Sequence, residues 1–122
     1  MNDKQYHSKV RELTDKEKWN FDQYGLKDFI ERKYTKNLII EAFKEGVLVS
    51  GKELYRDNQE KLKKYGEHYY CLHSYTEYLF RKYIMINFYI RNNEVLIVHH
   101  CGPFSTEIRY YKKKIKEFSH QR

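Results

Sequence analysis

The sequence predicts an α+β domain, with N-terminal helices packed on a small antiparallel sheet of three to four strands and a C-terminal helix closing the fold. Three observations predict it. Apolar spacing is helical before Gly66 and mostly alternating after it. Asn92-Asn93 separates two β-rich runs as a hairpin turn would. The 122 residues are 40% apolar and 17% aromatic, with thirteen Tyr, which suffices for one core. A single domain over 1–122 follows.

The same composition excludes other classes. Five Gly and one Pro exclude collagen-like and low-complexity chains. The absence of a run of about 18 apolar residues excludes a membrane-spanning helix. The start, MNDKQYHSKVREL, has no apolar leader, so a cytoplasmic location is expected. Two cysteines in a reducing compartment are expected to be free thiols.

The elements can be taken in order. Tyr6, Val10 and Leu13 fall at i, i+4 and i+7, one stripe on a short helix. Thr14 or Asp15, with Glu17, can cap a second helix carrying Trp19 and Phe21. Gly25 permits a break, after which Leu26, Phe29 and Ile30 form a third stripe. Thr35 is a good N-cap for Lys36–Glu45, and Gly46 fits a left-handed C-cap. Val47-Leu48-Val49 reads as a brief strand, and Lys52–Tyr65 as a polar helix or mobile connection.

Strands follow over His68–Tyr75, Lys82–Arg91 and Glu94–Cys101. A two-residue Asn92-Asn93 turn would set Arg91 opposite Glu94, Ile90 opposite Val95, Ile86 opposite His99 and Ile84 opposite Cys101. A Glu77–Leu79 turn would set His73 opposite Tyr83 and Cys71 opposite Met85. Tyr69, Cys71, His73, Tyr83, Asn87, Tyr89 and His100 would then share one face. After Gly102-Pro103, Ser105 can cap a helix burying Ile108, Tyr111, Ile115 and Phe118.

Such a face suits phosphodiester chemistry. Imidazoles exchange protons near neutral pH, so His73 and His100 are candidate base and acid. Tyr83 can donate or stack, and Arg109 can neutralise a phosphate. The competing reading is ordinary packing beneath the helices. His68, Cys71, His73, His99, His100 and Cys101 include metal-ligating types, but the register splits them between faces and no paired spacing closes a site; no metal or other cofactor is expected.

The chain carries 24 Lys plus Arg against 17 Asp plus Glu, a formal net charge of +7. Its densest basic spot is Lys112, Lys113, Lys114 and Lys116, beside Arg109 and Tyr110. That surface offers phosphates neutralising charge and bases a stacking ring, or it is simply a solvated face. The apolar side of this helix is needed for the core, so no membrane role is expected of it.

The layout resembles the small toxins of the RelE/ParE superfamily. It looks most like an uncharacterised subfamily that opens with a His-x-x-x-Arg-x-x-x-Arg helix and continues through an amphipathic helix, a Gly turn and a hairpin-rich sheet. The match runs over Tyr24–Tyr55 and on through the strands, with Arg32 in the place of the second arginine and Thr35–Glu45 then Gly46-Val47-Leu48-Val49 as helix, turn and strand. Tyr24 replaces the family histidine and Asp28 the first arginine. The resemblance implies a RelE-like fold and metal-independent cleavage of RNA, on the ribosome or as free mRNA, with a cognate antitoxin as partner. The nearest functional equivalents here would be His73, Tyr83, His100, Arg109 and Tyr110. The alternatives are a protein-binding adaptor or inhibitor encoded by a mobile element, which would use its tyrosines at an interface, or a toxin homologue that keeps only the fold.

Overall fold

A computed structural model describes residues 1–102 and 112–113. The expected C-terminal helix, with Arg109, Tyr110, Lys114 and Lys116, lies outside the described residues, apart from a helical Lys112 and Lys113. The α+β class holds. The sheet, however, has five strands and is mixed, in the order β1-β5-β4-β3-β2.

Helix α1 (Asp3–Asp15) begins with a capping box, the Asn2 side chain accepting from Gln5 and Gln5 from Asn2. It buries Val10 and Leu13, as its stripe predicts. Thr14 caps nothing: it is buried and donates to the Val10 carbonyl at 2.9 Å. The expected second helix is instead strand β1 (Trp19–Phe21), which pairs parallel with β5 (Val95–Gly102), Trp19 opposite Leu96 and Phe21 opposite Val98. Two aromatics spaced by one residue suit a short strand, and Glu17 in the left-handed region (φ 58°) ends α1 ahead of it. Gly25 lies within helix α2 (Gln23–Glu31) rather than at a break.

Helix α3 (Lys36–Glu45) has the predicted Thr35 cap, Oγ1 accepting from Leu38 at 3.1 Å. Gly46 departs from the expected left-handed cap, with φ −75° and ψ 176°. Glycine is needed there for closeness, since a Cβ would come 2.4 Å from the Ala42 carbonyl oxygen and 2.8 Å from that of Leu72. The Arg11 guanidinium covers the helix end, donating to the carbonyls of Phe43, Lys44 and Gly46. Strand β2 (Val47–Ser50) follows, then two short helices, α4 (Gly51–Leu54) and α5 (Gln59–Tyr65).

Strands β3 (Tyr69–Glu77) and β4 (Phe80–Arg91) meet at a two-residue turn with Tyr78 and Leu79 both left-handed, so Glu77 opposes Phe80 and His73 opposes Ile84. The β4–β5 loop spans Asn92, Asn93 and Glu94, so Arg91 opposes Val95 and Ile90 opposes Leu96. Both turns differ from expectation by one residue, and a one-residue slip exchanges the faces. Further along, a bulge between Asn87 and Phe88 shifts the pairing again, giving Asn87 opposite His100 and Ile86 opposite Cys101.

The sheet is covered on both faces. Ile84, Ile86, Phe88, Leu96 and Val98 pack with α1 and α3 side chains Val10, Leu13, Ile39 and Phe43. Tyr70, Leu72 and Met85 pack on the other face with Leu54, Tyr55 and Leu62. Cys71 belongs to the first cluster and His73 faces the same way, so the single polar face expected from the sequence does not exist.

Candidate functional site

A close approach of helix α2 to strand β5 produces the site. Asp22 is the N-cap of α2, its Oδ1 accepting the Gly25 N–H at 2.9 Å. Gly25 rests on β5, and a Cβ there would come 2.0 Å from the Val98 carbonyl oxygen. Seated this way, the helix carries Tyr24 and Asp28, with Arg32 at its C-cap, spaced by four along the C-terminal half of β5. The bulge reaims the facing strand, a usual device for directing a side chain at a site.

The result is two adjacent Asp–His pairs. His99 Nδ1 donates to Asp22 Oδ2, and His100 Nδ1 donates to Asp28 Oδ2 at 3.1 Å. A carboxylate only accepts, so each pair fixes the proton on Nδ1 and puts the basic lone pair on Nε2. Asp28 is itself held by the Cys101 backbone N–H at 3.2 Å. Burial raises the Asp22 carboxyl's pKa, but the Gly25 N–H and His99 outweigh it and hold the group below the usual carboxylate range.

The imidazole centroids are 4.3 Å apart, and both rings are partly open to solvent, with side-chain exposures of 30% for His99 and 39% for His100. Tyr24 lies 5.5 Å and 5.8 Å from them, and Tyr89 lies 6.1 Å from His99. The Arg32 guanidinium lies over Gly102, where an added Cβ would meet its Cζ at 2.9 Å. Two oriented imidazoles, a cation and phenol rings can move protons and receive an anion.

Arg32 also lines an open groove of about 1050 Å3 between α3 and the β3–β4 hairpin. Tyr34, Tyr75, Tyr83, Lys33, Arg81 and Lys112 contribute to its walls. Its acids are partly engaged: Glu41 with His73 at 2.8 Å, and Glu77 with Lys82 at 2.7 Å. The Lys112 ammonium stands 5.4 Å from the Tyr83 ring centroid. Donor atoms of Glu41, Glu45 and His73 lie within 4.8 Å of one another, and among the described residues these are the ones that could hold a metal. They are three donors where a closed structural zinc site takes four.

The predicted residues therefore divide. His73 and Tyr83 line the groove, whereas His100 pairs with Asp28 beside β5. His73 opposes Ile84 and His100 opposes Asn87, positions of opposite parity on β4, so the two histidines lie on opposite faces. The His73–His100 acid–base pair is thus corrected, because the register that joined them was displaced by one residue in each hairpin. Lys112 and Lys113 are exposed. Asp22, Asp28 and His99 were not read as site residues. Their signals were the Asp22-x-x-Gly25 cap, the His99-His100 repeat and the replaced position at Asp28.

No family model, no curated protein and no solved structure matches this chain.

Proposed function

We propose that this chain is a small RNA-directed protein of the RelE-like kind, cutting single-stranded RNA without a metal at the paired histidines beside α2. The observation that carries the reading is the tandem of Asp22–His99 and Asp28–His100, two oriented imidazoles with centroids 4.3 Å apart. In this scheme one imidazole takes the 2′-hydroxyl proton while that oxygen bonds to phosphorus. The P–O5′ bond breaks, and the other imidazole, as imidazolium, protonates the departing oxygen. The products are a 2′,3′-cyclic phosphate and a 5′-hydroxyl end. Arg32 would stabilise charge on the phosphoryl oxygens, the role the sequence suggests for Arg109, which lies outside the described residues. The groove supports the same reading, since Arg32, Lys33, Arg81 and Lys112 can meet phosphates and its tyrosines can stack on bases. The net charge of +7 favours such a partner.

The test is cleavage of a short single-stranded RNA by the purified protein with chelator present. The proposal expects cleavage that stops when one 2′-hydroxyl is replaced by hydrogen at the cut. His99→Ala or His100→Ala should lower the rate by roughly 10²–10⁴-fold, the usual worth of a general acid or base, and His73→Ala should leave most of it. An inactive wild type, or full activity in the His99→Ala, His100→Ala double variant, overturns the reading.

A further inference from the structure

The tip of the β3–β4 hairpin is built against its own backbone preference. Tyr78 and Leu79 form its two central residues, with φ of 51° and 70°. This left-handed geometry favours Asn and Gly and strains residues with bulky side chains. The β4–β5 loop meets the same demand with Asn92 and Asn93, at φ 54° and 58°. The turn itself therefore does not explain Tyr and Leu at the first tip.

Nor does the core. Tyr78 is 87% exposed, Leu79 97% and Phe80 69%, the first two being the most exposed large apolar side chains among the described residues. Arg81 and Lys82 follow directly, and Lys33, Arg32 and Lys112 line the groove at the base of the same hairpin. Three consecutive apolar side chains are thus held in water at the end of a two-stranded arm, with cations behind them.

We propose that this tip is a peripheral membrane anchor that inserts into the headgroup boundary of an anionic lipid bilayer. Two arguments select a bilayer over a protein partner. Three side chains on one turn cover far less than the roughly 800 Å2 per partner that a specific protein interface needs. A lipid surface needs no matching pocket, and aromatic rings with Leu and neighbouring Arg or Lys are the composition that partitions to that boundary. Charge complementarity points to anionic lipid, given the net charge of +7 and Arg81 beside the apolar tip. Leu79 and Phe80 would reach the acyl boundary, the Tyr78 hydroxyl would stay among headgroups, and Arg81 would meet a lipid phosphate. No described helix is long and apolar enough to cross a membrane, so the contact is an interfacial one. The absence of a long apolar run excludes a spanning helix and the C-terminal helix needs its apolar side for the core; the hairpin tip is a different element, and neither argument bears on it. The inference does not rest on the RNA reading.

Co-sedimentation of the full chain with vesicles tests it, comparing phosphatidylcholine alone with an equal mixture of phosphatidylcholine and phosphatidylglycerol. Binding to the mixed vesicles is expected, weakening as salt rises. Leu79→Asp and the Tyr78→Asn, Leu79→Gly pair should each weaken it by about tenfold or more, the equivalent of losing a well-buried apolar side chain. The pair suits the turn better, so its loss of binding cannot be blamed on misfolding. In a Leu79→Trp, Trp19→Phe protein, emission should shift to the blue on adding mixed vesicles. Three results overturn the proposal: no binding to mixed vesicles, equal binding by the tip variants, or wild-type self-association that the tip variants abolish, which would make a second copy the occupant.

Discussion

Gly25 stands against the Val98 carbonyl oxygen so closely that a Cβ would lie 2.0 Å from it. Both Asp–His pairs of the candidate site depend on that contact. Asp22, Tyr24 and Asp28 reach His99 and His100 because the helix between them can lie on the strand without a side chain in the way. Gly25→Ala must push α2 away from β5. A loss of at least about 2 kcal/mol is expected, in the upper range of overpacking. Chemical denaturation measures it. The same variant should lose RNA cleavage beyond what its unfolded fraction explains, because both carboxylates move off their imidazoles.

His7 supplies a pH signature separate from the site. Its Nε2 is buried and has no hydrogen-bond partner among the described residues. Burial pushes the imidazole's pKa down, Asp3 pulls it back up, and Arg11 pushes it further down. The folded state therefore takes its proton at lower pH than the unfolded chain, whose histidine titrates near 6.5. Nothing is lost above that value. As pH falls from about 6.5 towards the depressed folded value, the unfolded state binds the proton first and stability declines. His7→Leu should flatten this part of the stability profile, read from denaturation midpoints between roughly pH 7 and pH 5. An unchanged slope would show that the acid sensitivity comes from other groups.

Legibility in the sequence followed the range of the interaction. Helix α3 was readable because its cap, Thr35 to Leu38, and its buried stripe, Ile39, Ala42 and Phe43, are local. Strand β4 was readable because Ile84, Ile86 and Phe88 alternate and all three are buried. Strand β1 was not, since three residues become a strand only through pairing with β5, some 77 positions away from Trp19 to Leu96. Leu26 and Ile30 completed a helical stripe that the structure leaves exposed, at 46% and 62%. Register failed for a sharper reason. Glu94 joins the Asn92-Asn93 loop while Glu77 leaves the other one, and each single residue moves a whole row of side chains to the opposite face. The candidate site was half visible. His100 stood out for its chemistry, while Tyr24, Asp28 and Arg32 were marked only by the resemblance, as the places of its His-x-x-x-Arg-x-x-x-Arg helix, and only the bulge and the Gly25 contact bring these two groups together.

The strained hairpin makes a stability prediction that needs no lipid. Replacing Tyr78 by Asn and Leu79 by Gly substitutes the residues that a left-handed two-residue turn prefers. Each position now carries a strain of order 1 kcal/mol, and neither side chain buries enough surface to offset it, at 87% and 97% exposure. The double variant should be more stable than wild type by about 1 kcal/mol, visible as a higher denaturation midpoint with unchanged slope. A loss of stability would mean that the tip makes packing contacts important to the fold, and the case for displayed side chains would weaken with it.

Asp22 does two things with two oxygens, and they can be separated. Oδ1 accepts the Gly25 N–H and caps α2; Oδ2 accepts from His99. Serine caps a helix about as well as aspartate, so Asp22→Ser keeps the first function and removes the second. Stability at neutral pH should fall by no more than about 1 kcal/mol, the size of one hydrogen bond. Cleavage should fall by at least about tenfold, because an imidazole without its carboxylate loses both orientation and preferred tautomer and so part of its worth as a general base. Asp22→Ala should lose the cap as well and be less stable by a further ~1 kcal/mol. The comparison is informative in kcat, since Asp22 positions His99 and need not touch RNA itself. If Asp22→Ser cleaves RNA at the wild-type rate while His99→Ala does not, the imidazole acts without its carboxylate. If both are fully active, His99 is a surface residue and the paired-histidine mechanism is removed.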